Sequence, residues 1–387
     1  MYSFTYHIPT RVLFGAGQLN HLHEEKMPGK KALIVTSNGK SMKANGYLGR
    51  VESELEQAGV AHVLFDQIKA NPTLRNVTDG VQMVREHGCD FIVALGGGST
   101  MDAGKAIALA AANSGNLWDY VGSYTGGKKT PENNALPVVA ITTTAGTGSE
   151  VDFFSVITKE ETDEKTGIGF PSMYPTLSVV DSDLMMTVPP KFTAWQGMDA
   201  FYHASESVIN TKEHPMGEMF ALKAIELLAK YLPIAYKNGD DKEARSNVAL
   251  ANSLAGYYML CTSQHTMEHA MSSLYHDLPH GAGLIMISHE YFKFFADRKA
   301  CEVPMIKMAK AMGVDNPTSG QDFIKALDKL IFEVGQSGLK MSDFGVTEDA
   351  PEKFTQKCHE VLGGDTSADP LPLSDEELRG IFERSYR

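Results

Sequence analysis

Phe91-Ile92-Val93-Ala94-Leu95-Gly96-Gly97-Gly98-Ser99-Thr100-Met101-Asp102 runs from five apolar residues straight into three glycines. An apolar run of that length, closed by glycines, reads as a buried strand. The residues after it open a helix. Glycines at a strand-to-helix turn let the backbone approach a ligand closely, and the free amides of the helix attract phosphate. A dinucleotide pyrophosphate fits such a turn. The pattern is not the common Gly-x-Gly-x-x-Gly, because Met101 stands at the last position. It is not a Walker A loop, because Ala106 follows Gly104-Lys105 where a Ser or Thr belongs.

Outward from this turn, strand and helix patterns alternate. Ala32-Leu33-Ile34-Val35-Thr36 is a strand, and a helix is expected over about 46–58. A second strand is expected over 61–65. A helix over 73–87 follows, with Val77, Val81 and Val84 on one face. Further strands are expected over 138–142, 153–158 and 177–180. Strands alternating with helices of ten to fifteen residues imply a parallel sheet covered on both faces. A second Gly-rich turn, Thr142-Thr143-Thr144-Ala145-Gly146-Thr147-Gly148-Ser149-Glu150, also follows a strand and offers hydroxyls and amides to a cofactor.

The texture changes near Val188-Pro189-Pro190. Beyond it the periodicity is helical, with expected helices over 218–232, 244–260, 304–312, 320–334 and 351–362. Ser374-Asp375-Glu376-Glu377 is a capping box that opens a last helix. The stretch 365–373, with Pro370 and Pro372, reads as a loop. The fold class expected is an α/β N-terminal domain with a parallel sheet, residues 1–185, followed by an all-α C-terminal domain, residues 186–387.

The second half carries the spacing of a metal site. Asp199 and His203 stand four apart in Gly197-Met198-Asp199-Ala200-Phe201-Tyr202-His203, and His265 and His269 stand four apart in Gln264-His265-Thr266-Met267-Glu268-His269. Four residues are one helical turn, so each pair shares a face. Pro279-His280-Gly281 adds a further histidine. One carboxylate and three imidazoles suit iron(II) or zinc. With no cysteine in the set, the pattern points to a metal that does chemistry rather than a structural zinc.

Composition sets limits. With 35 basic and 48 acidic residues the formal charge is −13, which argues against nucleic acid and anionic membrane as partners. Cys89, Cys261, Cys301 and Cys358 are scattered, as expected of reduced thiols in a cytoplasmic protein. The opening Met1-Tyr2-Ser3-Phe4-Thr5-Tyr6-His7 lacks the basic and apolar regions of a signal peptide. No apolar run is long enough for a transmembrane helix.

Together the motifs resemble those of the iron-dependent (group III) alcohol dehydrogenases, which share the dehydroquinate-synthase-like fold. The resemblance spans nearly the whole chain. It rests on Phe14-Gly15-Ala16-Gly17, Asn71-Pro72-Thr73, Gly96-Gly97-Gly98-Ser99 with Asp102, the turn from Thr143 to Glu150, Gly197-Met198-Asp199-Ala200 with His203, and Pro279-His280-Gly281. It implies a Rossmann-like N-terminal domain, a helical C-terminal domain, and a cleft holding nicotinamide cofactor and metal. It implies Asp199, His203, His265 and His280 as ligands, with His269 a non-ligand near the substrate and a candidate relay for the alcohol proton. Cofactor contacts carry over to Asn71, Gly97, Gly98, Ser99, Asp102, Thr143, Thr144 and Lys165. The chain departs from the family once: the second histidine pair sits one residue further from Pro279-His280-Gly281. An extra residue within 272–277 accounts for this, keeps the choice between His265 and His269 open, and leaves His276 without a counterpart.

In the family an Asp after the strand equivalent to 32–36 holds the ribose 2′-hydroxyl. Here Ser37-Asn38-Gly39-Lys40-Ser41 stands there, and hydroxyls, an amide and a lysine favour NADP over NAD. The expected activity is interconversion of a small primary alcohol and its aldehyde, with Fe(2+), or alternatively Zn(2+), polarising the substrate oxygen. A homodimer is usual among relatives. The alternatives on the same fold are a zinc-dependent glycerol or polyol dehydrogenase and a dehydroquinate-synthase-type lyase.

Overall fold

The computed structural model describes residues 3–362 and 365–387, so Met1 and Tyr2 of the opening stretch lie outside it. The chain forms two compact units. One is Tyr6–Thr187, and the other joins the N-terminal residues up to Thr5 to Val188–Arg387.

The first unit contains β1 (Arg11–Phe14), β2 (Lys31–Ser37), α1 (Ser41–Ala44), α2 (Tyr47–Gln57), β3 (Ala61–Ile68), α3 (Leu74–His87), β4 (Phe91–Gly96), α4 (Gly98–Ala112), β5 (Val138–Thr142), β6 (Phe154–Lys159), β7 (Glu164–Gly169) and β8 (Leu177–Val180). Six strands form one sheet in the order β1-β8-β5-β4-β2-β3, and every pairing in it is parallel. Side chains alternate between two cores. Leu33, Val35, Ile92 and Ala94 face the α3 and α4 side with Val81 and Ile107. Ala32, Ile34, Phe91 and Val93 face Val51 and Leu55 of α2. This burial on both sides explains the unbroken apolar runs. At Gly104 a Cβ would come within 2.9 Å of the Ala94 Cβ, so glycine lets α4 lie directly on β4.

Two details differ from the sequence reading. β1 was not expected: it is a four-residue edge strand opening with Arg11, too short for a clear pattern. The stretch read as a sheet strand over 153–158 is β6, which lies outside the six-stranded sheet: it pairs with β7 in an antiparallel hairpin and makes a single parallel bridge from Thr158 to Thr73. β7 reads Glu-Lys-Thr-Gly-Ile-Gly, with little apolar signal.

The second unit is helical: α5 (Pro190–Ile209), α6 (Pro215–Lys237), α7 (Lys242–Gly256), α8 (Ser263–Leu274), α9 (His280–Asp297), α10 (Glu302–Ala311), α11 (Gly320–Glu333), α12 (Ala350–Leu362) and α13 (Asp375–Ser385). α6 continues past Leu232 through Pro233. Leu232 and Ala235 are fully buried there, so packing outweighs the hydrogen bond that proline removes. Ser374 and Glu377 form the expected capping box on α13. Among the described residues no helix is long and apolar enough to cross a membrane.

Candidate active site

α5 carries Asp199, His203 and Glu206 at i, i+4 and i+7, one stripe along a helix. All three are buried. α8 presents His265, and α9 begins at His280. Gly281 sets the approach of α9: a Cβ there would lie 2.2 Å from the Trp195 carbonyl oxygen, so only glycine lets α9 meet the α5 backbone.

The side chains converge on one oxygen. Asp199 Oδ1 lies 3.4 Å from His265 Nε2, 3.5 Å from His280 Nε2 and 3.8 Å from His203 Nδ1. Asp199 Oδ1 and His265 Nε2 are buried without a hydrogen-bond partner among the described residues. Ligand atoms bound tetrahedrally at 2.0–2.1 Å from an ion stand about 3.4 Å apart. The spacing and the two orphaned atoms therefore fit a divalent ion among these residues.

Buried carboxylates brace two of the imidazoles. His265 Nδ1 pairs with Glu206 Oε1, and Glu206 Oε2 accepts from the Thr262 amide at 2.6 Å and its hydroxyl at 2.8 Å. His280 Nδ1 pairs with Glu268 Oε2. A carboxylate on Nδ1–H fixes the tautomer and leaves the Nε2 lone pair for an ion. Gly283 makes room for this brace, since a Cβ there would come within 2.8 Å of Glu268 Cγ.

The electrostatics agree. Burial pushes the Asp199 carboxyl up, but His203, His280 and His265 outweigh it and hold Asp199 below its ordinary value. Burial, with some repulsion from His265, pulls His203 down; Asp199 and Cys261 together outweigh this, so the imidazole sits above its ordinary value. The metal-free cluster thus stores protons that an arriving cation displaces.

His269 is half-buried. Its ring lies 5.3 Å from that of His280 and 6.5 Å from that of His265, and it clusters with Glu268 and His280 rather than with Asp199. The turn after α8 is closed by the Leu278 amide on the Tyr275 carbonyl at 2.9 Å. His276 is exposed in that turn and belongs to none of the ligand clusters found among the described residues.

In the first unit the other set gathers at the carboxyl ends of the strands. From β2 the chain moves outward to β3 and then returns to β4 on the far side of β2, so strand order reverses between β2 and β4. Such a reversal opens the crevice where nucleotides bind in parallel sheets. Ser37 ends β2, and the adjacent Thr36 is paired with Leu95, placing it beside Gly97, Gly98 and Ser99. Thr143 follows β5 and donates its amide to Gly96 at 3.0 Å. A Cβ on Gly97 would stand 3.0 Å from Thr144, and one on Gly98 2.3 Å from Thr147, so the two Gly-rich turns close on each other. Asn71 has a φ of 53°, and the next residue, Pro72, accepts the Thr158 amide at 2.9 Å. Lys165, buried, stands opposite Thr158. Asp102 staples the region: its carboxylate accepts from Ser149 Oγ at 2.6 Å and the Val156 amide at 2.9 Å. Burial raises its pKa to about 6. Lys105 is not a phosphate ligand of Walker type. Its buried Nζ donates to Asp152 at 2.8 Å and to the Phe154 carbonyl at 2.9 Å.

Sequence reasoning missed Glu206, Glu268 and Cys261. Glu206 had a signal, since it continues the stripe of Asp199 and His203. The cysteines were set aside, yet the sulfur of Cys261 lies within 4.8 Å of ligating atoms of His203 and His265. Cys261 precedes α8, so helical spacing could not reveal it.

The family model for iron-containing alcohol dehydrogenase matches residues 9–182, and the C-terminal model of the Fe-containing alcohol dehydrogenase family matches residues 193–386. Alcohol dehydrogenase 4 of Saccharomyces cerevisiae is 38% identical over 393 residues, covering 98% of this chain and 98% of its own. The 1,3-propanediol dehydrogenase of Klebsiella pneumoniae is 32% identical over 392 residues, covering 99% of both chains. The crystal structure of an archaeal halo-thermophilic alcohol dehydrogenase from a Red Sea brine pool superposes with a TM-score of 0.93 at 33% identity, covering 100% of this chain and 99% of that one.

Proposed function

The chain belongs to the iron-containing alcohol dehydrogenase family and is an NAD(P)-linked alcohol dehydrogenase, and from this we propose which residues carry the reaction and what it acts on. Asp199, His203, His265 and His280 hold the metal. Residues 1–185 bind the nucleotide, and 186–387 hold the metal and the substrate. The substrate is a small primary alcohol or its aldehyde, the size that similarity to a 1,3-propanediol dehydrogenase suggests.

One observation carries the metal reading: two Nε2 atoms, each set by a carboxylate on its Nδ1, face the orphaned Asp199 Oδ1 at 3.4 and 3.5 Å. It favours His265 over His269 as the ligand from α8. When bound, the ion supplies Lewis acidity at the substrate oxygen, and the nicotinamide supplies or accepts hydride. Glu206 and Glu268 hold a proton on Nδ1 of His265 and His280 throughout. His269, half-buried beside His280, takes the alcohol proton on a ring nitrogen and returns it in the reverse direction.

Ser37, Asn71, Gly97, Gly98, Ser99, Asp102, Thr143, Thr144 and Lys165 form the nucleotide edge. NADP is favoured over NAD because Ser37-Asn38-Gly39-Lys40-Ser41 offers donors and no carboxylate. The ligand set accepts Fe(2+), with Zn(2+) the alternative. Four free cysteines support a cytoplasmic location, and the family supports a homodimer. The test is a panel of short alcohols and aldehydes with both cofactors, on protein of measured metal content. Turnover that tracks bound metal and is faster with NADP(H) is expected. Equal turnover by fully metal-depleted protein would refute the reading.

A further inference from the structure

Within 4.8 Å of one another lie ligating atoms of His203, Cys261 and His265. The rings of His203 and His265 stack at 4.4 Å, 18° from parallel, beside the sulfur. Three features make this a built arrangement rather than a stray thiol. Asn210 Nδ2 donates to the Cys261 carbonyl at 3.2 Å, and Glu206 accepts the next amide, that of Thr262, at 2.6 Å, so side chains of α5 and its C-terminal cap clamp the backbone on both sides. Ser207 Oγ donates to the Tyr258 carbonyl at 2.9 Å and accepts the Leu260 amide at 3.0 Å, anchoring the approach to the same helix. His265 is 5% exposed, and its Nε2 has no hydrogen-bond partner among the described residues.

We propose that Cys261 is a ligating residue of the metal centre, adding a thiolate to the Asp199 and histidine set. This rests on the metal reading above and goes beyond it, since carboxylate and imidazole alone accept iron and zinc alike. On ligation the S–H bond breaks, a sulfur–metal bond forms, and the proton leaves to solvent with no change of oxidation state. Thiolate is the softer ligand and draws the centre toward zinc and cobalt(II) and away from iron(II). Cys261 is also the one exposed residue among the four cysteines, the others being buried, so its state can be probed in the native protein.

The experiment reconstitutes the metal-free full chain with cobalt(II). Wild type is expected to show the visible ligand-field bands of a bound ion together with a near-ultraviolet sulfur-to-cobalt charge-transfer band. Cys261→Ser is expected to keep the visible bands and lose the charge-transfer band, and its zinc affinity is expected to fall by roughly tenfold or more. In wild type, cobalt or zinc is expected to protect Cys261 from Ellman's reagent, a reading that needs no variant. Visible bands without charge transfer, and labelling at the same rate with and without metal, would overturn the thiolate and leave the metal reading standing. Wild type that binds no cobalt would overturn both.

Discussion

Gly281→Ala tests whether the contact between α9 and α5 sets the metal site. Helix propensity alone favours the change, since alanine in place of glycine stabilises a helix by up to about 1 kcal/mol. The structure expects the opposite. The new Cβ would lie 2.2 Å from the Trp195 carbonyl oxygen, 2.7 Å from its carbon and 3.1 Å from its Cα. These are backbone atoms in the interior of α5, and they cannot turn aside. A real Cβ rarely comes nearer than 3.0 Å, so α9 must retreat by about 0.8 Å. Overpacking of this kind costs about 1–3 kcal/mol. His280, next to the altered residue, would retreat with it, and its Nε2 now stands 3.5 Å from Asp199 Oδ1. Metal–ligand distances tolerate only about 0.2 Å, so ligation by His280 is expected to weaken by roughly tenfold or more. Two measurements read this out: thermal melting of the metal-free protein, and zinc affinity by competition with a chromophoric chelator. Gly338→Ala, where a Cβ meets nothing within 4 Å, is the control. Melting should fall by about 2–4 °C for each kcal/mol lost. A Gly281→Ala protein that melts no lower than wild type and binds zinc within about twofold of it, a difference under about 0.5 kcal/mol, would refute the reasoning.

His265→Ala should lose bound metal while His269→Ala should keep it and lose turnover, as elemental analysis of the two proteins would show; the reverse result would exchange their roles. Ser37→Asp places a carboxylate where a 2′-phosphate is expected. Two like charges about 4 Å apart repel by roughly 4 kcal/mol at an effective dielectric of 20, and a quarter of that is about fivefold in affinity. The ratio of kcat/KM for NADP to that for NAD should fall accordingly, and an unchanged ratio would place the discrimination elsewhere. Asp102 has its pKa raised to about 6 by burial. The folded state therefore keeps a proton that the unfolded chain releases near pH 4, and stability is lost as pH rises from about 4 to about 6. Asp102→Asn should flatten that part of the stability–pH curve in denaturant titrations, and a curve as steep as wild type would count against Asp102 as its source.

What was legible in the sequence was local. Strand runs such as Phe91–Gly96, the switch to helical periodicity after Pro190, the Ser374 capping box and the one-turn spacing of Asp199 and His203 each depend on residues a few positions apart, and backbone geometry imposes those periods on any chain. That burial on both faces of the parallel sheet follows from the unbroken apolar runs as well.

The tertiary structure decided what depends on distant segments meeting. β6 reads as well as a sheet strand as it does a hairpin strand, and only its pairing with β7 separates the two. His265 and His269 are equivalent by spacing; what distinguishes them is the approach of α5, which brings Asp199 within 3.4 Å of His265 Nε2, and the brace from Glu206 behind it. Glu268 serves His280 across a turn whose length the sequence leaves open. Cys261 joins the histidines through an irregular segment clamped by α5, where no period applies. Spacing along the chain says which side chains share a face. Which atoms meet across helices is set by close packing and by the glycines that permit it, and that information is spread over residues far apart in sequence.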